Sequence, residues 1–152
     1  MTYAGFWKRF AAFLIDQCIL WIVGLFLLVP FLGMLGLGIF ESAMTESEPS
    51  EGMIVALIGA YIGSMMLIFL AGWLYYALME SSSKQGTLGK MALSIVVTDM
   101  NGNRISFGRA TGRYFAKFLS SIIFYIGYIM AAFTEKKQAL HDMIAGCVVI
   151  NK

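Results

Sequence analysis

The sequence predicts an all-α integral membrane protein carrying a small β element beside the bilayer. Three observations carry that expectation. Hydrophobic residues make up 59 % of the 152 residues and charged ones only 13 %, with mean hydropathy +0.77, where a soluble domain carries about 25 % charged residues. Two apolar runs, about residues 10–39 and 53–79, are longer than the roughly 18 residues that mark a spanning helix. Charge is also segregated: basic residues precede the first run, only acids lie between the runs, and the stretch after the second is basic. The length suits one domain over residues 1–152.

The first run begins with Lys8 and Arg9. It far exceeds the roughly 7–15 residues of a signal-peptide core, and no A-x-A site follows, so an uncleaved span is expected. Pro30 is expected to kink or end it. Trp7 is a candidate for the aromatic belt at the headgroups. Residues 41–52 form a polar loop with Glu41, Glu46, Glu48 and Glu51 and no cation. In the second run, Gly59 and Gly63 make a GxxxG pair, read either as a helix contact within the chain or as a contact between copies. Trp73, Tyr75 and Tyr76 read as a second aromatic belt, and Glu80 closes the span.

Residues 81–113 hold Lys84, Lys90, Arg104, Arg109 and Arg113 against Asp99 alone. Within them, 93–99 is β-like, Asn101-Gly102 is a turn signal, and 104–107 is expected to return as a hairpin strand. Residues 147–150 supply a further strand, giving a small cytoplasmic sheet. A third apolar segment, about 114–133, has a charge-free part, residues 118–133, of only sixteen residues, just short of the ~17–25 needed to cross. It either spans or re-enters. Basic residues mark the cytoplasmic side, which places the N-terminus and the 81–113 stretch inside. Re-entry keeps Lys136, Lys137 and Lys152 inside as well.

Candidate chemistry centres on Arg9 and Asp16. Seven residues apart, they lie on one helix face. Asp16 sits about 10 Å deeper at ~1.5 Å rise per residue, where an acid costs roughly 2.5–3.5 kcal/mol on insertion scales. It needs a partner. If the third segment returns, His141 and Asp142 approach Arg9, which then bridges two carboxylates. Such a cluster is either a cation or proton site or a structural charge cluster. His141 reads as a packed, hydrogen-bonded histidine or as a proton shuttle. Glu80 and Lys90 line a possible entrance or form a solvated edge. Arg104, Arg109, Arg113 and Lys117 make a basic band suited to anionic headgroups. Cys18 and Cys147 read as buried thiols. No metal cluster, nucleophile–base pair or nucleotide loop is present in the sequence; the G-T-L-G-K of residues 86–90 lacks P-loop spacing. No enzyme, cofactor or nucleic-acid partner is therefore expected.

The blocks Gly5-Phe6-Trp7-Lys8-Arg9, Ala12 and Asp16, Glu80 with Gly86-Thr87-Leu88-Gly89-Lys90, residues 97–102, Arg113, and Gln138-Ala139-Leu140-His141-Asp142 with Ala145-Gly146 occur in order along nearly the whole chain. On these blocks the chain resembles the RDD family of small bacterial membrane proteins. The family's name-giving arginine and two aspartates map to Arg9, Asp16 and Asp142. The resemblance implies a multi-pass protein of the bacterial inner membrane. It also implies a transporter, with Na⁺/H⁺ exchange the activity that some members resemble; two spans enclose little volume, so a transport path is expected to need a homo-oligomer. The alternative is a non-transporting scaffold or accessory subunit.

Overall fold

The computed structural model describes residues 1–46, 48–122 and 126–152. Two helices dominate: α1 (Phe6–Thr45) and α2 (Glu51–Ser81). Each contains an 18-residue window of which only 6 % is buried within the chain, so these are not the core helices of a soluble protein. Their apolar side chains face outward, as lipid-facing helices require. The remaining elements are α3 (Leu88–Ala92), β1 (Ile95–Asp99), α4 (Phe107–Ile122), α5 (Ile126–Ile129), a 3₁₀ turn (Met130–Ala132), α6 (Leu140–Ile144) and β2 (Cys147–Asn151).

The chain divides into two compact units. In the unit Ile19–Gly72, the central parts of α1 and α2 run antiparallel. Phe31 packs on Tyr61 with ring centroids 5.5 Å apart, Gly24 faces Ile68 and Gly38 faces Met53. α1 continues through Pro30. Proline removes one backbone donor, but lipid offers no competing water to the remaining carbonyls, so the helix does not end there. Gly59 and Gly63 are exposed, and a Cβ at either would meet nothing within 4 Å. The expected contact within the chain is therefore not made at this pair.

The second unit, Met1–Cys18 with Trp73–Lys152, holds the sheet and the short helices. β1 and β2 pair antiparallel, with Val97 opposite Val149. The expected return strand over 104–107 does not form. The Asp99 carboxylate accepts the backbone N–H groups of Asn101 and Asn103, both at 2.8 Å, which tightens the turn. Ser106 then starts α4. The far edge of β1 bonds the 85 loop instead, Val97 N–H donating to Gln85 O. The far edge of β2 takes the N-terminal residues, with Ala4 N–H donating to Val149 O and Asn151 N–H to Thr2 O, both at 2.9 Å. Around this sheet lies the core of Ala4, Ala12, Ala77, Ile95, Val97, Ile105, Ala110, Cys147 and Val149.

Residues 123–125 of the third apolar segment lie outside the described residues. On either side of them, α5 runs back along α4: Gly127 lies against Ser120, and the Tyr128 hydroxyl donates to Lys117 O at 3.5 Å. The described parts on the two sides therefore lie side by side. Cys147 is buried, but Cys18 is exposed on α1, contrary to the expectation of two buried thiols. It falls on the outward side of the helix, where a thiol suits an apolar surround.

Candidate functional site

Asp16 and Asp142 occupy two separate settings in the same unit, and Arg9 serves only one of them. Asp16 is 1 % exposed although it lies on a helix whose other faces are open. Tyr75 of α2 donates its hydroxyl to Oδ1 at 2.7 Å, Thr87 donates to Oδ2 at 2.5 Å, and Gly89 donates its backbone N–H to Oδ1 at 2.8 Å. The glycine makes this possible. A Cβ at position 89 would overlap the Ala12 carbonyl oxygen and come within 3.0 Å of Asp16 Cγ. Only a residue without a side chain lets α3 press so closely on α1. Thr87, at the N-cap of α3, gives its hydroxyl to Asp16 rather than to the helix it precedes.

Arg9 turns to Asp142. Its Nη1 donates to Oδ2 at 2.5 Å, its Nε to Ala4 O at 3.0 Å and its Nη2 to Val149 O at 3.4 Å. The start of α1 is thereby tied to β2 and to α6 at once. Asp142 is fully buried. Its Oδ1 accepts Arg113 Nε at 2.8 Å and Nη2 at 2.7 Å, a two-pronged pair, and its Oδ2 also accepts Ala139 N–H at 3.2 Å. Arg113 extends the chain of charges: its Nη1 reaches Glu80 Oε2 at 2.8 Å. Glu80 Oε1 accepts Lys90 Nζ, and Lys117 Nζ stands 4.0 Å from the same oxygen. The result is a continuous ladder, Arg9–Asp142–Arg113–Glu80–Lys90, joining α1, α6, α4, α2 and α3.

Burial alone would push the Asp142 carboxyl up, but Arg113 and Arg9 hold it well below the usual carboxylate range. Burial would likewise lower Arg113, and Asp142 and Glu80 hold it above its ordinary value. Lys117 is pushed down to about 7 by burial, against the pull of Glu80. Burial pushes His141 down to about 3. Its ring lies 3.4 Å from Ser120 Oγ through Nδ1, 3.5 Å from Asp142 Oδ1 through Nε2 and against Tyr128 at 5.1 Å between centroids.

Several expectations change here. Glu80 and Lys90 are buried, 1 % and 8 % exposed, and do not form a solvated edge. Arg113 and Lys117 leave the basic band: Arg113 is 2 % exposed, and Lys117 sits 3.7 Å from the Tyr76 ring centroid. Trp73, Tyr75 and Tyr76 are not a belt. They turn inward, to Thr111 at 3.3 Å, to Asp16 and to Lys117 respectively, because polar groups of α1 and α4 offer their donors and faces partners that lipid lacks. Trp7 is 76 % exposed. Among the described residues no three His, Cys, Asp or Glu side chains gather as a metal site.

Two outward-facing helices of spanning length, with a ladder of buried ion pairs among their ends, define an integral membrane protein. The particular family follows from comparison: the RDD family profile matches residues 3–146, and the chain belongs to the RDD family. It is 40 % identical over 155 residues to "Uncharacterized protein YxaI" of Bacillus subtilis (strain 168), covering 98 % of this chain and 97 % of that one. It is 32 % identical over 157 residues to "Uncharacterized membrane protein YteJ" of the same strain, covering 99 % and 82 %. A "Proline-rich antigen homolog" of Mycobacterium tuberculosis (strain ATCC 25618 / H37Rv) is 27 % identical over 135 residues, covering 80 % of this chain and 56 % of that one. No solved structure matches the chain.

Proposed function

We propose that the chain is a scaffold or accessory subunit of the bacterial inner membrane, N-terminus cytoplasmic, in which the Arg–Asp–Asp residues are structural. One observation carries this reading. Every carboxylate oxygen of Asp16, Glu80 and Asp142 already accepts a donor from the protein. A cation entering at Glu80 or Asp142 would have to displace an arginine or a lysine, and a buried charge stripped of its partner costs about 3–5 kcal/mol. The ladder instead fixes the start of α1, the end of α2 and the C-terminal strand together.

Sodium–proton exchange is a second reading, and Asp16 favours it. All three of its donors, Tyr75, Thr87 and Gly89, are neutral, so its charge is hydrogen-bonded without being paired to the ladder. Sodium and a proton compete for the same oxygens. Two spans enclose little volume, so exchange requires several copies, with Gly59 and Gly63 as the contact between them.

Purified protein in vesicles with a trapped pH dye separates the readings. The scaffold reading expects no pH change after a sodium pulse, and expects Asp16→Asn to lower the yield of folded protein. A sodium-driven pH change that disappears in a folded Asp16→Asn variant overturns it in favour of exchange.

A further inference from the structure

α4 is inside out. On its inner face lie Arg113, Lys117, Ser120, Ala110 and Ala116, which meet the charge ladder and the core. Its outer face carries Phe107, Phe115, Phe118 and Leu119, each 41–47 % exposed. At 100° per residue these four fall within one arc of about 120°. A helix beside water keeps the opposite arrangement. The outer face is continuous in kind with the exposed apolar residues of the neighbouring helix ends, Leu74 and Leu78 on α2.

Depth follows from the contacts. α4 packs along the last turns of α2, from Trp73, which meets Phe107, Thr111 and Phe115, to Glu80, which meets Arg113. Seven residues of helix separate those contacts, about 10 Å. Those turns are the last of the apolar run of residues 53–79. Exposed Arg104 and Arg109 stand at the beginning of α4, and no acid occurs between Asp99 and Glu135. Their charge complements acidic headgroups.

We propose that α4 is an in-plane interfacial helix, its aromatic face seated among the acyl chains of the bilayer that α1 and α2 cross, with Arg104 and Arg109 selecting acidic phospholipid. The seat is lipid and not a second copy of the chain.

The test uses full-length protein in vesicles of equal phosphatidylglycerol and phosphatidylcholine. The photo-crosslinking residue p-benzoylphenylalanine, an aromatic replacement that preserves bulk, is placed at Phe115 or Phe118, and at exposed Met100 in the β1 turn as a control. The expected products at 115 and 118 are one-phospholipid adducts by mass, at least fivefold above those at 100. Phosphatidylglycerol adducts should exceed the mixing ratio at least twofold, and Arg104→Gln with Arg109→Gln should return them to it. A two-chain product at 115 and 118, or no phospholipid adduct there above the control, overturns the seating. Adducts at the mixing ratio in the parent protein overturn the selection of acidic lipid.

Discussion

Gly89→Ala adds one methyl group and should be among the most damaging small substitutions in the chain. The added Cβ would overlap the carbonyl oxygen of Ala12, part of a helix backbone that cannot rotate away, and would stand 3.0 Å from Asp16 Cγ. Forcing an extra carbon into a packed site costs about 1–3 kcal/mol. Moving α3 outward to relieve it lengthens the 2.8 Å bond from Gly89 N–H to Asp16, and a hydrogen bond to a charged group contributes about 1.5–3 kcal/mol. Whichever relief the chain takes, the loss is roughly 1–3 kcal/mol. The assay is reversible unfolding in mixed micelles, titrated with dodecyl sulfate and followed by circular dichroism. Gly59→Ala is the internal control, since its Cβ meets nothing within 4 Å and alanine inside a helix is favoured over glycine by about 0.5–1 kcal/mol, so it should not destabilise. A Gly89→Ala protein as stable as the control would refute the close approach of α3 to α1.

Glu80→Gln should destabilise by about 3–5 kcal/mol, because it leaves Arg113 and Lys90 buried with a neutral partner; the same unfolding titration reads it, and a change under about 0.5 kcal/mol would mean an exposed edge. His141, lowered to about 3, should make stability fall with acid. Below its ordinary ~6.5 the unfolded chain takes up a proton that the folded one refuses, so stability declines from about pH 6.5 towards pH 3, and His141→Gln should flatten that part of the profile. Lys117, lowered to about 7 from 10.5, acts in the alkaline window. There the unfolded chain holds a proton that the folded one has lost, so stability should rise from about pH 7 to pH 10, and Lys117→Met should remove the rise.

Much of this fold can be read from the residues. The two spans follow from the apolar runs, and the return of Asp142 to Arg9 follows from the length of the third segment and the side on which its lysines belong. What the sequence conceals is which way side chains point on a helix that is neither spanning nor soluble. Arg109, Arg113 and Lys117 recur every fourth residue and look like one band. They share one face, and Arg109 stays exposed because it lies in the first turn of α4, while Arg113 and Lys117 lie further along beside Glu80. Glu80 itself looks like the polar end of a span. The pairing of Asp16 with Thr87 and Gly89 spans more than seventy residues of chain. Its one local sign is a glycine at position 89 of a short helix, a poor helix former where a close approach demands it. The edge of β2 went to residues 2–4, which carry no strand pattern of their own, because they are tethered beside it by Arg9.

The division of labour among Arg9, Asp16 and Asp142 is tested most directly by two double-mutant cycles on unfolding stability, Arg9→Met with Asp142→Asn and Arg9→Met with Asp16→Asn. The structure predicts a coupling above about 1 kcal/mol for Arg9 with Asp142, and additivity within about 0.5 kcal/mol for Arg9 with Asp16. Strong coupling of Arg9 to Asp16 and none to Asp142 would contradict it.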